Sequence, residues 1–174
     1  MIFKKLYKII GMKMQKLCKL FYGNILKEIL LNVLKNNMIG IGLSGWMADF
    51  GEYLPPDARL HSGEDAALVH NKFSVLWQKL NLDALKETGK LGEVVFFTRS
   101  GFSETSKYST LVWAGDQVPT FSIHDGLASV ICAGLSIGFS GVGYYHSDIG
   151  GYTTFGPFRR EKEVFRRWAE HSAF

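Results

Sequence analysis

The sequence has few cysteines and prolines, and it contains no long uninterrupted hydrophobic run. Its two cysteines, Cys18 and Cys132, stand far apart in a chain of 174 residues, which argues against a disulfide framework and against a cysteine-based zinc site. An H-E-x-x-H pattern is absent too, so we expect no metal and no cofactor. Within residues 1–37, lysines interrupt every stretch that approaches 18 residues, so no transmembrane helix is predicted there.

The composition is that of a chain with enough apolar material for one core. Hydrophobic residues make up 47% of the sequence and charged residues 21%, which is typical of an ordered domain and not of a disordered chain. Residues 1–40 carry eight lysines and one glutamate, a charge of +7 within a whole-chain charge of +4. The remainder of the chain is therefore acidic, with a charge of −3. The basic isoelectric point is thus no argument for a nucleic-acid partner, and we expect none.

Residues 1–35 form a basic amphipathic segment, with lysines spaced at the helical period among leucine, isoleucine, phenylalanine and methionine. The segment lacks the clean apolar region and cleavage site of a signal peptide, so the cytoplasm is favoured, although the sequence leaves the compartment open. One hypothesis is a helix that binds a membrane surface or a calmodulin-like partner. The favoured hypothesis for its second half is a helix packed on a sheet. That packing stripe would comprise Ile25, Ile29, Leu30, Val33 and Leu34.

From residue 36 onward, short apolar runs alternate with helical segments. Strands are predicted in "MIGIGLSGWMAD", "EVVFFTRSG", "STLVWAGD" and "VGYYHSDIGG". Helices are predicted in "AALVHNKFSVLWQKLNLDALKETG", "HDGLASVICAGLSIGFSG" and "REKEVFRRWAEHSAF". This alternation predicts an α/β domain with a parallel sheet over residues 36–174.

Two of these helices have a predicted start or a predicted buried face. Ser62 is the expected cap of the first helix, with Asp65 three residues later. The predicted buried positions are Ala67, Phe73, Leu76, Trp77 and Leu80 in the first helix and Val164, Phe165 and Trp168 in the last.

Each predicted strand ends in a charged residue: Asp49, Arg99, Asp116 and Asp148. The carboxyl ends of parallel strands meet at one edge of a sheet, where reactive groups collect. Two converging aspartates suit glycoside hydrolysis, in which one attacks the anomeric carbon and the other protonates the leaving oxygen. An indole wall favours a protonated carboxyl, so Asp116 beside Trp113 is the predicted proton donor. The alternative is that these aspartates are helix caps or members of surface ion pairs.

Three segments carry a specific resemblance. "GWMADFGEYLP", "FFTRSGFSETSKYSTLVWAGDQ" and "GYYHSDIGGYTTF" resemble consecutive active-site blocks of glycoside hydrolase family 31, the retaining α-glycosidases built on a (β/α)8 TIM barrel. Within that family they are most similar to the sulfoquinovosidase branch. The resemblance implies a partial barrel, roughly strands four to seven with their helices. It also implies hydrolysis of a small-molecule α-glucoside or sulfoquinovoside in carbohydrate metabolism.

The resemblance also assigns roles, which we carry over position by position. It implies Asp49 as the nucleophile and Asp116 as the general acid/base. Arg99, Trp113 and Asp148 would line the sugar subsite, and Tyr152 would help to hold a sulfonate. Two further candidates for substrate binding come from the residues alone, namely Trp46 and His146.

Each candidate for substrate binding has a structural alternative. The two tryptophans could belong to the core, and Tyr152 could close the rim of the barrel. Arg99 could form an ion pair with a strand-end acid, and His146 could be a structural residue between aromatic neighbours. Glu52 is expected to orient its neighbours without transferring a proton.

Two other functions remain open at this stage. The chain could be a non-catalytic glycosidase fragment, or an interaction protein led by its basic helix at a membrane surface. An incomplete barrel exposes strand edges and apolar surface. We therefore also expect low stability of the isolated chain and self-association.

Overall fold

The computed structural model describes residues 24–173, and the chain divides into two compact units. The first unit runs to Val95 and includes Ser100–Tyr108. The second comprises Phe96–Arg99 and continues from Ser109 onward. Positions 1–23 of the predicted basic segment lie outside the described residues. Among the residues described, no helix is long and apolar enough to cross a bilayer.

The first unit begins with a helical run of changing pitch. Helix α1, Asn24–Asn32, continues into a π-helical stretch, Val33–Met38, and then into a 3₁₀ turn, Ile39–Ile41. Gly42 ends the run with φ +93°, a left-handed conformation that glycine adopts without the steric cost of a Cβ atom.

The predicted packing stripe on this run is wrong in part. Leu34 is buried as expected, together with Leu31, but Ile29 and Val33 are exposed. The buried positions, Leu31 and Leu34, are three residues apart and share one face of the run. Ile29 and Val33 are four residues apart and share a neighbouring exposed face, so part of the predicted stripe lies beside the buried face.

Strand β1, Gly45–Met47, is shorter than the predicted run, because the residues before it form the 3₁₀ turn. Helix α2, Ala66–Glu87, begins after Asp65, whose carboxylate accepts a hydrogen bond from the Ala67 amide at 2.9 Å. The predicted cap, Ser62, is therefore wrong. Its hydroxyl instead accepts from the Glu64 amide at 3.3 Å, within the turn that precedes the helix.

The buried face of α2 begins one residue earlier than predicted. Ala66, Val69 and Phe73 are buried against loop residues that precede the helix, whereas Ala67 is exposed. Leu80 is buried as predicted, and Leu76 and Trp77 are half-buried. The correct stripe starts at the first helical residue, because the cap at Asp65 fixes the rotation of the helix.

The second unit contains a parallel sheet, as predicted. Strands β2 (Val95–Thr98), β3 (Leu111–Trp113) and β4 (Tyr144–His146) are parallel and lie in that order. Helix α3, Thr105–Tyr108, lies between β2 and β3 in the sequence and belongs to the first unit.

One face of β3 and β4 is covered by α4, Leu127–Phe139, and α5, Lys162–Ser172. The Tyr145 hydroxyl of β4 donates to the Val130 carbonyl of α4 at 3.2 Å. A Cβ atom at Gly134 would lie 2.9 Å from the Tyr145 ring, so the close packing predicted for this small-residue helix is confirmed. The core of the unit comprises Leu127, Val130, Val164 and Trp168, with Ala114 and Tyr145 packed against it.

Helix α5 presents a narrower buried face than predicted. Val164 and Trp168, four residues apart, are buried, and the Trp168 indole donates to the Ser147 hydroxyl at 2.8 Å. Phe165 is 48% exposed, so its predicted inward position is wrong. One residue rotates the side chain by about 100° around a helix, which places Phe165 beside the buried stripe.

Replacing Trp168 with alanine should lower the free energy of unfolding by about 3–5 kcal/mol, because a fully buried indole is lost. The matched variant Phe165→Ala should cost about 1 kcal/mol or less, as expected for a partly exposed position. Urea denaturation followed by circular dichroism measures both. Equal losses in the two variants would contradict this assignment of the buried face of α5.

Candidate active site

Three predicted site residues share one face of the sheet in the second unit. The strand register pairs Trp113 with His146 and Phe97 with Leu111. Side chains alternate between the two faces of a strand, and Tyr145 faces helix α4. Trp113 and His146 therefore face the opposite side. Arg99 follows Phe97 by two positions and lies on that side as well.

Aromatic contacts tie these side chains together. The Phe97 ring meets the Trp113 ring edge to face, with centroids 5.6 Å apart and an interplanar angle of 89°. It meets the His146 ring in the same way at 5.1 Å. The Arg99 guanidinium carbon lies 5.9 Å from the Trp113 ring centroid, within cation–π range. Phe97 was not predicted as a site residue, although its spacing of two from Arg99 could have indicated it.

Trp113 packs in the interior and also buries its polar indole N–H. It is 1% exposed, so its ring belongs to the packed layer on this face, in agreement with the core alternative. The indole N–H has no hydrogen-bond partner among the described residues. Buried indoles usually find a partner, so this N–H is a buried polar group that the described residues leave unsatisfied.

Asp116 lies in a turn directly after β3, and its side chain is exposed. Gly115, with φ +84°, begins the turn. The buried Gln117 closes it, because its side-chain amide donates back to the Ala114 carbonyl at 2.5 Å. The N-cap of the next helix, α4, is Gly126, and that of α2 is Asp65. The helix-cap alternative for Asp116 and Asp49 is therefore wrong.

Asp148 follows β4 and is electrostatically linked to Asp116. Burial raises the pKa of Asp148 above its ordinary value, the positive charges of His146 and Arg160 lower it, and the Asp116 carboxylate raises it. The two acids that follow β3 and β4 thus interact electrostatically, as expected for residues at one edge of a parallel sheet. The pKa of Asp148 is higher in the folded chain than in the unfolded chain. Ionised Asp148 therefore destabilises the fold when the pH is above the folded-state pKa. This destabilisation decreases as the pH falls and is absent below the unfolded-state pKa.

The loop after Asp148 carries Tyr152, which is 60% exposed. Arg160 holds the loop, because its guanidinium donates to the Gly150 carbonyl at 3.3 Å and to the Gly151 carbonyl at 2.6 Å. Little in the sequence indicates this role, because Arg160 stands in a charged run just before α5. It is a positioning contact that only the folded loop reveals.

Asp49 and Trp46 belong to the first unit. The half-buried Asp49 accepts from the Phe50 amide at 2.9 Å, and Phe50 itself has φ +63°. A left-handed conformation at a bulky residue is strained, and such strain clusters at functional sites. Glu52 is buried, and the Ser100 hydroxyl lies 3.4 Å from its carboxylate.

Two indoles attach the end of β1 to helix α2. The Trp46 indole donates to Asn81 at 2.9 Å, and the Trp77 indole donates to the Ala48 carbonyl at 2.9 Å. A Cβ atom at Gly51 would lie 2.2 Å from the Trp77 ring, so the chain after Asp49 passes the ring too closely for any side chain. These contacts, which the sequence did not reveal, fix the backbone on both sides of Asp49.

In the described part of the chain, no group of three or more His, Cys, Asp or Glu side chains could hold a metal ion.

Replacing Asp116 with asparagine should lower the pKa of Asp148, because the change removes a negative charge that favours the protonated acid. Arg160→Met should raise it, since a positive charge is lost. The ¹³C chemical shift of the Asp148 carboxyl, followed against pH, measures both changes. Asp125→Asn makes the same charge change elsewhere in the unit and is the matched control. An Asp148 pKa that is the same in all four proteins would refute the link between the two acids.

Comparison with known proteins places this arrangement in a family. Residues 15–174 match the model of the glycosyl hydrolases family 31 TIM-barrel domain. The chain is 56% identical over 142 residues to a sulfoquinovosidase of Escherichia coli strain K12, and 49% identical to one of Agrobacterium fabrum strain C58. Each of these matches covers 82% of this chain.

A solved structure gives the same result. A GH31 family sulfoquinovosidase from E. rectale, in complex with the aza-sugar inhibitor IFGSQ, matches with a TM-score of 0.81 and 54% identity, over 84% of this chain and 22% of that one. The chain spans about a fifth (21%) of the length of the curated sulfoquinovosidases it matches. It therefore has the parallel strands and helices of a partial TIM barrel, as predicted, and it belongs to glycosyl hydrolase family 31.

Proposed function

We propose that this chain carries the catalytic carboxylates of a retaining α-glycosidase that hydrolyses a sulfoquinovoside or a related α-glucoside. The observation that carries the proposal is the strand-end cluster of the second unit, within a sequence 56% identical to a protein named sulfoquinovosidase. Arg99, Trp113 and His146 share one sheet face there, and Asp116 and Asp148 follow two of the same strands.

In the first step, the Asp49 carboxylate attacks the anomeric carbon while the bond to the leaving oxygen breaks. Asp116 donates its proton to that oxygen, so that a neutral alcohol leaves. The product is a covalent glycosyl ester of Asp49. The mechanism requires the two carboxyl groups to be about 5–5.5 Å apart.

In the second step, the Asp116 carboxylate takes a proton from water as the water oxygen attacks the anomeric carbon. The ester bond breaks, the Asp49 carboxylate is released, and Asp116 is protonated again. Two inversions at the same carbon give net retention of configuration. Each group thus returns to its starting protonation state.

The remaining candidates would hold the sugar. Arg99 offers a planar set of N–H donors, and Asp148 offers carboxylate oxygens that accept from hydroxyls. Trp113 would support the Arg99 guanidinium through its ring, and His146 can contribute a ring nitrogen. The indole N–H of Trp46 already donates to Asn81, so Trp46 would contribute only its ring.

Tyr152 is the proposed contact for a sulfonate. Its hydroxyl is a hydrogen-bond donor, and the side chain is exposed. Preference for a sulfoquinovoside over a plain α-glucoside is therefore assigned to the loop after β4. The membrane-surface hypothesis concerns residues 1–35, of which positions 1–23 lie outside the described range. Membrane contact and self-association of the chain both remain predictions.

Asp49→Asn should abolish turnover, because an amide is not a nucleophile here. Asp116→Asn should lower the rate by about 10²–10⁴-fold for substrates whose leaving group needs a proton. The assay uses 4-methylumbelliferyl and methyl α-sulfoquinovosides beside the matching glucosides, with NMR observation of the first-formed anomer. Asp57→Asn, an exposed loop position, is the control for the charge change.

Release of the β-anomer first would contradict retention. If the chain is folded by circular dichroism but turns over none of the four substrates, the activity proposal is wrong for this chain. The hypothesis of a non-catalytic fragment would then stand.

A further inference from the structure

The turn that carries Asp116 is held by the loop after β4. The Thr153 hydroxyl donates to the Asp116 carbonyl at 3.0 Å. The amides of Tyr152 and Thr153 both donate to the Gln117 carbonyl, at 2.8 and 3.0 Å. Three hydrogen bonds from two consecutive residues thus reach the main chain of Asp116 and its neighbour.

The same turn is closed from its other side by Gln117. This side chain is buried, and its amide donates to the Ala114 carbonyl at 2.5 Å. The Ala114 amide in turn donates to the His146 carbonyl at 2.9 Å. The main chain around Asp116 is therefore fixed at both ends, although the carboxylate itself points to an exposed surface.

The loop that supplies these bonds is itself held by hydrogen bonds and a close contact. The Gly151 amide donates to the Asp148 carbonyl at 2.9 Å, and Arg160 binds the carbonyls of Gly150 and Gly151. Gly151 has φ +76°, and a Cβ atom there would lie 2.8 Å from the Pro119 Cα. The start of the loop therefore packs directly against the backbone that follows Gln117, with no room for a side chain at Gly151.

We propose that Thr153 is a positioning residue for the general acid/base. The inference rests on the role proposed above for Asp116. A proton donor must lie within about 2.6–3.2 Å of the atom it serves, and a displacement of about 1 Å is costly. The Thr153 hydroxyl bonds the main-chain carbonyl of Asp116, so it acts on the direction of the carboxyl group without touching substrate. It also couples that direction to the loop that presents Tyr152.

Thr153→Val removes the hydroxyl and keeps the shape of the side chain. It should lower kcat/KM about tenfold or more for methyl α-sulfoquinovoside, whose leaving group needs a proton. It should leave the value for a dinitrophenyl sulfoquinovoside within about threefold, because that leaving group departs without protonation. Thr153→Ser restores the hydroxyl and should restore the rate. Thr154→Val, the same change at the next and exposed position, is the matched control.

A general loss of fold or of binding would slow both substrates equally. Equal losses in Thr153→Val, or equal effects of the changes at Thr153 and Thr154, would therefore overturn the proposal.

A second measurement separates this inference from the proposed function. In NMR spectra of the full chain, Thr153→Val should shift the Asp116 carbonyl ¹³C signal and speed amide hydrogen exchange at Tyr152. Thr154→Val should do neither. If the wild-type chain turns over no substrate, the proposed function fails for it, and these signals still decide whether Thr153 holds the Asp116 turn. Unchanged signals in Thr153→Val would overturn the inference whatever the activity.

Discussion

Parallel pairing of β2, β3 and β4 is the constraint on which the second unit depends. Their backbone hydrogen bonds fix the register, and the register fixes which side chains become neighbours. A slip of one residue would turn Trp113 and His146 toward helix α4 and would turn Tyr145 away from it. The contacts of Phe97 with Trp113 and His146 exist only in the observed register, and they reinforce it.

The same pairing explains why acidic residues gather beyond the strand ends. Parallel strands all finish at one edge, so Asp116 and Asp148 emerge side by side after β3 and β4. Burial is the largest cause of the raised pKa of Asp148, and the neighbouring Asp116 carboxylate raises it further. Nearby cations limit the rise, since His146 and Arg160 both favour the ionised form.

Several features could be predicted from the sequence because they depend on local pattern. The alternation of apolar runs and helical segments predicted a parallel α/β fold, and it placed Asp116 and Asp148 directly after two neighbouring parallel strands. Helix faces were harder to predict, because one residue of rotation changes which side chain is buried. Ala67 and Phe165 were misplaced for this reason, and Ile29 and Val33 likewise lie beside the buried face of their helix.

The sequence by itself determined the family, the parallel α/β class and the residue types that suit glycoside hydrolysis, because these lie in long contiguous motifs and short-range periodicity. Tertiary structure alone decided how those residues are held. Thr153 and Arg160 bind backbone carbonyl groups of residues brought close by folding, and Trp77 packs against Gly51 from a different element. Such contacts join positions distant in the chain through atoms that every residue carries, so no pattern of side chains records them.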